Sequence, residues 1–375
     1  MKMVALGDVA EIDRVGVDPA TLAPETHYLG LEHIERGGRI IGCGTVSGAG
    51  LTSTKFKFTT EHVLYGKLRP NLGKVSRPTS NGVCSTDILP IRPGERLDRD
   101  YLAHYLVQPG MVRFAASQAT GANLPRLKPS TLANFHVPLP TLEEQRRIAA
   151  ILDHADALRT KRRQVLDHLD ALTQSSFHDM FNEPFPTVPL GELADTRLGK
   201  MLDAKRQTGE HRRPYLRNAN VQWFRLDLTD LFEMDFDAKD REAFALEPGD
   251  VLVCEGGQPG RSAIWRGELE NCYFQKAVHR VRLGGALKPE YFVRAMKRIV
   301  DSNGLKDFVT SSTISHLTGE KLRTLPFPVP PLGIQKDFAT LVERIHAQQV
   351  AVERALAAVD ELFASLQSRA FRGEL

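Results

Sequence analysis

Residues 138–145 read Pro-Leu-Pro-Thr-Leu-Glu-Glu-Gln, and residues 328–335 read Pro-Val-Pro-Pro-Leu-Gly-Ile-Gln. Pro138, Pro140, Leu142 and Gln145 match Pro328, Pro330, Leu332 and Gln335 at an offset of 190. A long run without proline or glycine follows each stretch. In the first run, steps of three and four pick out Ile148, Ile151, Ala155, Leu158, Arg162, Val165, Leu169, Leu172 and Ser176. In the second they pick out Phe338, Leu341, Ile345, Gln348, Val352, Ala355, Val359, Leu362 and Leu366. An apolar seam held over several heptads is the signature of a coiled coil. The layout is therefore globule, helix, globule, helix. Connectivity makes two such helices antiparallel if they pair, with an approximate two-fold axis between the copies. About 34 residues at roughly 1.5 Å each give a spacer near 50 Å, or about 15 base pairs of duplex at roughly 3.4 Å each. Thr141 and Glu144 form a capping-box pattern for the first helix, whereas Pro331 and Ile334 do not for the second.

The copies also open alike. Val4-Ala5-Leu6-Gly7-Asp8-Val9-Ala10 faces Val188-Pro189-Leu190-Gly191-Glu192-Leu193-Ala194. Tyr28-Leu29 faces Tyr215-Leu216, Tyr101-Leu102 faces Tyr291-Phe292, and Val83-Cys84 falls near Asn271-Cys272. A repeat of this length is a duplicated domain, not a solenoid unit. Within each copy the local signals are mixed. Strands are expected at 56–58, 61–67, 87–92, 249–254 and 277–282, and helices at 100–116 and 289–303. The fold class is therefore α/β (α+β). The segments are 1–140, a first globule; 141–182, a spacer helix; 183–330, a second globule; and 331–375, a second spacer helix.

Composition sets the class but not the partner. The chain has 375 residues, 42% hydrophobic and 25% charged, with a net charge of +3, which suits a soluble globular protein of two or three domains. The charge is locally uneven. Lys55, Lys57, Lys67, Arg69, Lys74 and Arg77 surround one acid, Glu61; Lys200, Lys205, Arg206, Arg212, Arg213 and Arg217 surround Asp203 and Glu210. Such patches can meet phosphates. Cys43, Cys84, Cys254 and Cys272 form no paired motif, so reduced thiols are expected. The start, Met-Lys-Met-Val-Ala-Leu-Gly-Asp, lacks the apolar core of a signal peptide, and no apolar window reaches membrane-spanning length. A cytoplasmic location is the expectation.

The chemistry of a typical enzyme is missing from the motifs. Neither G-x-x-x-x-G-K-[ST] nor G-x-G-x-x-G occurs, and the Gly256–Gly260 loop lacks the lysine and hydroxyl residue of a phosphate loop. No zinc-hydrolase or deaminase pattern occurs. Pro330-Pro331 lacks the flanking residues of an adenine-methyltransferase tetrapeptide. Asp235, Asp237 and Lys239 imitate a nuclease cluster, but they sit in a generally acidic stretch. The expectation is no catalytic, cofactor or metal residue in this chain.

The chain resembles the DNA-specificity subunit of type I restriction-modification enzymes. The resemblance rests on the two-copy layout, on residues 138–149, on the ending Ser368-Arg369-Ala370-Phe371-Arg372-Gly373-Glu374-Leu375, on residues 66–74, and on 120–127 with its counterpart 311–317. It implies that each globule is a target recognition domain reading half of a split site in double-stranded DNA. It implies an antiparallel coiled coil that sets the unread gap. Two modification subunits would dock and carry S-adenosylmethionine; restriction subunits would bring ATP and magnesium chemistry. Gly333-Ile334 departs from Glu143-Glu144, which affects capping and charge at the second helix start. Two different readers on one ruler suit a bipartite, asymmetric site, since identical readers would demand a palindrome. Loop residues able to bond base edges or phosphates are Lys67, Arg69, Asn71, Lys74, Arg77, Asn123, Arg126 and Lys128 in the first reader. In the second they are Arg212, Arg213, Arg217, Gln258, Arg261, Lys276, Ser312 and His316. The cluster Arg159, Lys161, Arg162 and Arg163 faces DNA, a partner or solvent. Two other readings stand beside this one: a coiled-coil adaptor whose globules bind proteins, and a nuclease built on Asp235, Asp237 and Lys239.

Overall fold

The computed structural model describes residues 2–203, 207–309 and 315–375. The chain divides into two compact units, Met1–Gln164 with Glu353–Leu375, and Val165–Val352. Both are mixed α/β and share one frame.

In the first unit an antiparallel sheet orders Ala10–Ile12, Ile88–Pro93, Val63–Gly66 and Val75–Ser76. In the second the order is Ala194–Leu198, Val278–Leu283, Val251–Cys254 and Ser262–Ile264. The central strands are buried along most of their length because both sheet faces are covered. A second sheet in each unit contains a parallel pair: Tyr28 aligns with Val83, and Tyr215 with Tyr273. That register corrects the sequence alignment of the cysteines, since Cys84 corresponds to Phe274 and not to Cys272.

The repeated opening closes each globule. Met3–Ala5 pairs with His136–Pro138, and Thr187–Pro189 pairs with Pro326–Pro328. Leu6 N–H donates to Phe135 O, as Leu190 N–H does to Leu325 O. A Cβ at Gly7 would lie 3.3 Å from that of Ala133, and one at Gly191 3.1 Å from that of Arg323. Close backbone approach explains glycine at both positions.

The helix expected over 100–116 is two helices, Arg99–Leu106 and Pro109–Ser117. Pro109 has no N–H to continue the first and fits the first turn of the next. Its counterpart in the second unit is continuous over Pro289–Asp301.

The repeated Pro-x-Pro…Gln stretch makes the join between globule and long helix. Gln145 is fully buried; its Oε1 accepts from Asp98 N–H, and its Nε2 donates to Arg96 O and Pro140 O. Gln335 repeats this with Lys288 N–H, Ala286 O and Pro330 O. Tyr101 Oη donates to Pro138 O, and Tyr291 Oη to Pro328 O. Of the capping box, Glu144 N–H to Thr141 Oγ1 forms at 3.3 Å, while the Glu144 carboxylate instead pairs with Arg147.

The long helices are Leu142–Met180 and Leu332–Ala370, 39 residues each, and they pack antiparallel. In the first unit Arg159 and Arg163 reach Asp360 at 2.5 and 3.1 Å. In the second, Gln349 Nε2 donates to Asp170 at 2.7 Å. The seam is one residue out of phase with the expected one at alternate positions. At the observed spacing, the first helix buries or half-buries Ile148, Leu152, Ala155, Arg159, Arg162, Leu166, Leu169 and Thr173. Leu158, Val165 and Leu172 are 39%, 43% and 47% exposed, and Leu362 is 51% exposed, so these four leave the seam; Ile151, Leu341 and Ala355 are half-buried. Phe338, Ile345, Val352, Val359 and Leu366 keep their places, and Gln349, Leu356 and Phe363 join them, while Gln348 faces out. Three of the shifted positions, Arg159, Thr173 and Gln349, are polar, so apolar spacing passes over them. Arg159 lies inward because its guanidinium stacks on Phe363 at 4.3 Å and pairs with Asp156 and Asp360.

Each helix end is held by aromatics of its own unit. Phe181 packs on Tyr291 at 4.7 Å and on Phe338 at 5.5 Å, and Arg298 donates to Phe181 O. Phe371 packs on Tyr101 and Tyr105 at 5.1 and 5.3 Å, and Arg147 donates to Leu375 O.

Candidate nucleic-acid interface

In the first unit two loops lie side by side at one end of the central sheet. Residues 67–74 join strand Val63–Gly66 to Val75–Ser76, and residues 118–128 precede the short helix Pro129–Ala133. Arg69 N–H donates to Pro125 O at 2.7 Å, and Leu127 N–H to Lys67 O at 2.9 Å. Arg126 and Thr120 exchange backbone hydrogen bonds at 2.9 and 3.0 Å. Arg69 sits in the left-handed region at φ 50°, uncommon for a residue with a side chain. The result gathers Lys67, Arg69, Asn71, Asn123 and Arg126 on one set of loops, with Arg69, Asn71, Asn123, Arg126 and Lys128 exposed. Lys128 precedes the short helix.

Other basic residues of this stretch serve the fold. Lys55 is buried, its Nζ donating to Ser53 O and Oγ. Lys74 Nζ donates to Leu31 O at 2.6 Å. Arg77 reaches Asp153 at 2.7 Å and Asp100 at 3.5 Å, so it turns inward toward the helices. Burial pushes the Asp153 carboxyl up, but the hydrogen bond from His104 and the Arg77 charge together hold it below the usual carboxylate range.

The second unit builds the same loops from other side chains. Lys67 N–H donates to Asp87 O and receives Leu127 N–H at its own carbonyl; Glu255 does the same with Ala277 and Leu317. Glu255 therefore stands where Lys67 does, Ala277 where Asp87 does, and His316 where Arg126 does. Arg261 matches Lys74: its Nη2 donates to Asn218 O at 2.6 Å, the carbonyl equivalent to that of Leu31. Gln258 accepts from Arg261 at 3.1 Å and is exposed. Gly260 turns this loop at φ 86°, and a Cβ there would meet Leu305 and Val300 at 2.8 Å. The side chain of His316 lies beside Gly256, 3.1 Å from where a Cβ would stand. Beneath it His279, fully buried, holds Leu317 O at 2.8 Å; burial, opposed by that hydrogen bond, keeps its imidazole pKa below the ordinary range.

The remaining candidates are dispersed. Arg212 and Lys276 are exposed, and Arg213 is half-buried. Arg217 stacks on Phe232 at 3.6 Å and pairs with Asp230 at 2.7 Å. Ser312, with Lys205 and Arg206 of the basic patch, lies outside the described residues. Asp235 accepts from the N–H groups of Gly209, Thr208 and His211, which hold its carboxyl below the usual range. Asp237 caps the helix Ala238–Phe244. These carboxylates organise backbone, and among the described residues no group of three or more His, Cys, Asp or Glu is placed to hold a metal ion. Sequence reading missed Asp87 and Glu255, because it searched for cations; the matched loop frame is the signal that finds them.

The family model for the Type I restriction modification DNA specificity domain matches residues 1–168 and 182–359. The chain belongs to this family. The EcoDI specificity subunit of Escherichia coli is 32% identical over 157 residues, 40% of this chain and 35% of that protein. The chain thus spans about a third of that relative's length. The EcoKI specificity subunit of Escherichia coli strain K12 is 24% identical over 312 residues, 76% of this chain and 67% of that protein. Among solved structures, the S subunit from M. genitalium covers 99% of this chain and 96% of its own at TM-score 0.64 and 14% identity. A chain from work on complex assembly and conformational transition of the type I R-M system covers 100% and 98% at TM-score 0.58 and 20% identity. The structural likeness shows the shared fold. No helix among the described residues is long and apolar enough to cross a membrane.

Proposed function

We propose that the chain is the sequence-specific DNA-binding subunit of a type I restriction-modification complex, non-catalytic by itself and cytoplasmic. Target recognition domains at 1–140 and 183–330 each read one half of a bipartite, asymmetric duplex site. The helices at 141–182 and 331–375 set the unread gap. Two modification subunits dock on it and carry S-adenosylmethionine; restriction subunits bring ATP and magnesium chemistry.

One observation carries this reading: two units share a hydrogen-bonding frame while the side chains on its loops differ, Lys67 against Glu255, Asp87 against Ala277, Arg126 against His316. A frame with interchangeable loop side chains supports two separate readings, because base edges are distinguished by donor and acceptor patterns. A protein-binding adaptor would not need Lys67, Arg69 and Arg126 gathered on one loop pair. The test is methylome sequencing of a host with and without the gene. A split motif that disappears with the gene is expected; an unchanged methylome, together with duplex binding that ignores sequence, would refute it.

A further inference from the structure

Asp87 is the acid among the cations of the first reader. It lies between strands Gly82–Cys84 and Ile88–Pro93, and its N–H donates to Ser85 Oγ at 3.3 Å. Arg126 Nε and Nη2 reach its two carboxylate oxygens at 3.0 and 3.3 Å. Lys67 Nζ stands 3.9 Å from the same carboxylate. The Arg126 side chain is 45% exposed. Its backbone is pinned by both hydrogen bonds to Thr120.

A guanidinium has two hydrogen-bonding edges. Asp87 occupies the Nε–Nη2 edge, which leaves the Nη1–Nη2 end pointing away from the pair. An end-on guanidinium fits the O6 and N7 acceptors of guanine, the commonest specific contact in the major groove. An exposed ion pair of this kind adds little to stability. What the pair does is restrict the rotamers of a long side chain, which lowers the ordering cost on binding. Resting on the function proposed above, we infer that Arg126 reads a guanine in the first half-site and that Asp87 is the positioning residue that aims it. The second reader has His316 and Ala277 at these positions, so its half-site is not read by such a pair.

The test uses the complex purified from its host through a tag on this chain, with selection from a library of randomised duplexes. The native protein selects a split motif with one invariant G·C pair in one half. Arg126→Ala relaxes that pair alone, cutting discrimination there by about 5- to 150-fold. Arg126→Lys keeps the charge but loses the fork and relaxes the same pair. Asp87→Asn relaxes it to a smaller degree, with the thermal midpoint and the other half-site unchanged. If the Arg126 variants instead weaken binding evenly over all sequences, Arg126 is a phosphate contact and the inference is wrong. If they relax an A·T pair or several positions, it is equally wrong. If the native complex selects no motif, the proposed function itself fails, a separate result.

Discussion

Gln145 and Gln335 show how one side chain fixes a junction. Each is fully buried and satisfies three backbone groups from two segments of its globule. Buried amides are retained only when paired, and removing one partner leaves the others unsatisfied. Gln145→Ala and Gln335→Ala should each destabilise their own unit by about 1–3 kcal/mol, seen as separate shifts in chemical unfolding midpoints. His279 adds a pH dependence. The folded imidazole has a pKa lowered from 6.5, because burial disfavours its charged form and the Arg323 charge works in the same direction, against the hydrogen bond to Leu317 O. The unfolded chain therefore binds the proton first. Stability is complete above about pH 6.5, the ordinary imidazole value. It falls as pH drops below that and levels once pH passes the folded value. His279→Gln should flatten this acid slope in the unfolding of the second unit; an unaltered slope would show that another group is responsible. The glutamines were legible in the sequence as a repeat, but their work was not, because their partners at Asp98 and Lys288 are 47 residues away along the chain.

The long helices were the most legible elements, since periodicity, length and freedom from proline and glycine are local properties. Their phase was half legible. Positions such as Ile148, Ala155, Phe338 and Ile345 are apolar and buried, as expected. At three alternate positions the expected seam takes Leu158, Leu172 and Gln348, whereas the structure uses Arg159, Thr173 and Gln349. Sequence periodicity scores apolarity, and a stacked, ion-paired arginine looks polar to it. The two phases separate cleanly by mutation. Leu152, fully buried, should cost about 2–5 kcal/mol as alanine. Leu158→Gln and Leu172→Gln, at exposed positions, should stay within about 0.5 kcal/mol. Thermal denaturation of the three variants decides between the seams; equal losses would restore the expected one.

At the scale of the whole molecule, the proposed function makes reading and spacing separable properties of the repeat. Loops carry the differences between units, while the paired helices are nearly matched at 39 residues each, roughly 58 Å of helix. Under the proposed function, inserting two heptads into both helices in phase should lengthen the unread gap and leave both half-sites unchanged. Methylome sequencing reads both quantities at once, and a changed half-site would show that the helices take part in reading.

The sequence by itself determined the duplication, the mixed α/β class, the two long helices and the absence of common catalytic motifs. Those follow from composition, local periodicity and repeated residues. Only the tertiary structure decided which cations are free to meet a ligand. Lys74, Arg77 and Arg261 carry the same charge in the sequence as Arg69, yet a backbone carbonyl or an acid of a distant segment takes each of them up, and Lys55 turns back on Ser53. It also placed Asp87 under Arg126 and Glu255 in the position of Lys67. Charge is written in the residue, but its availability depends on what the folded chain brings within hydrogen-bonding distance.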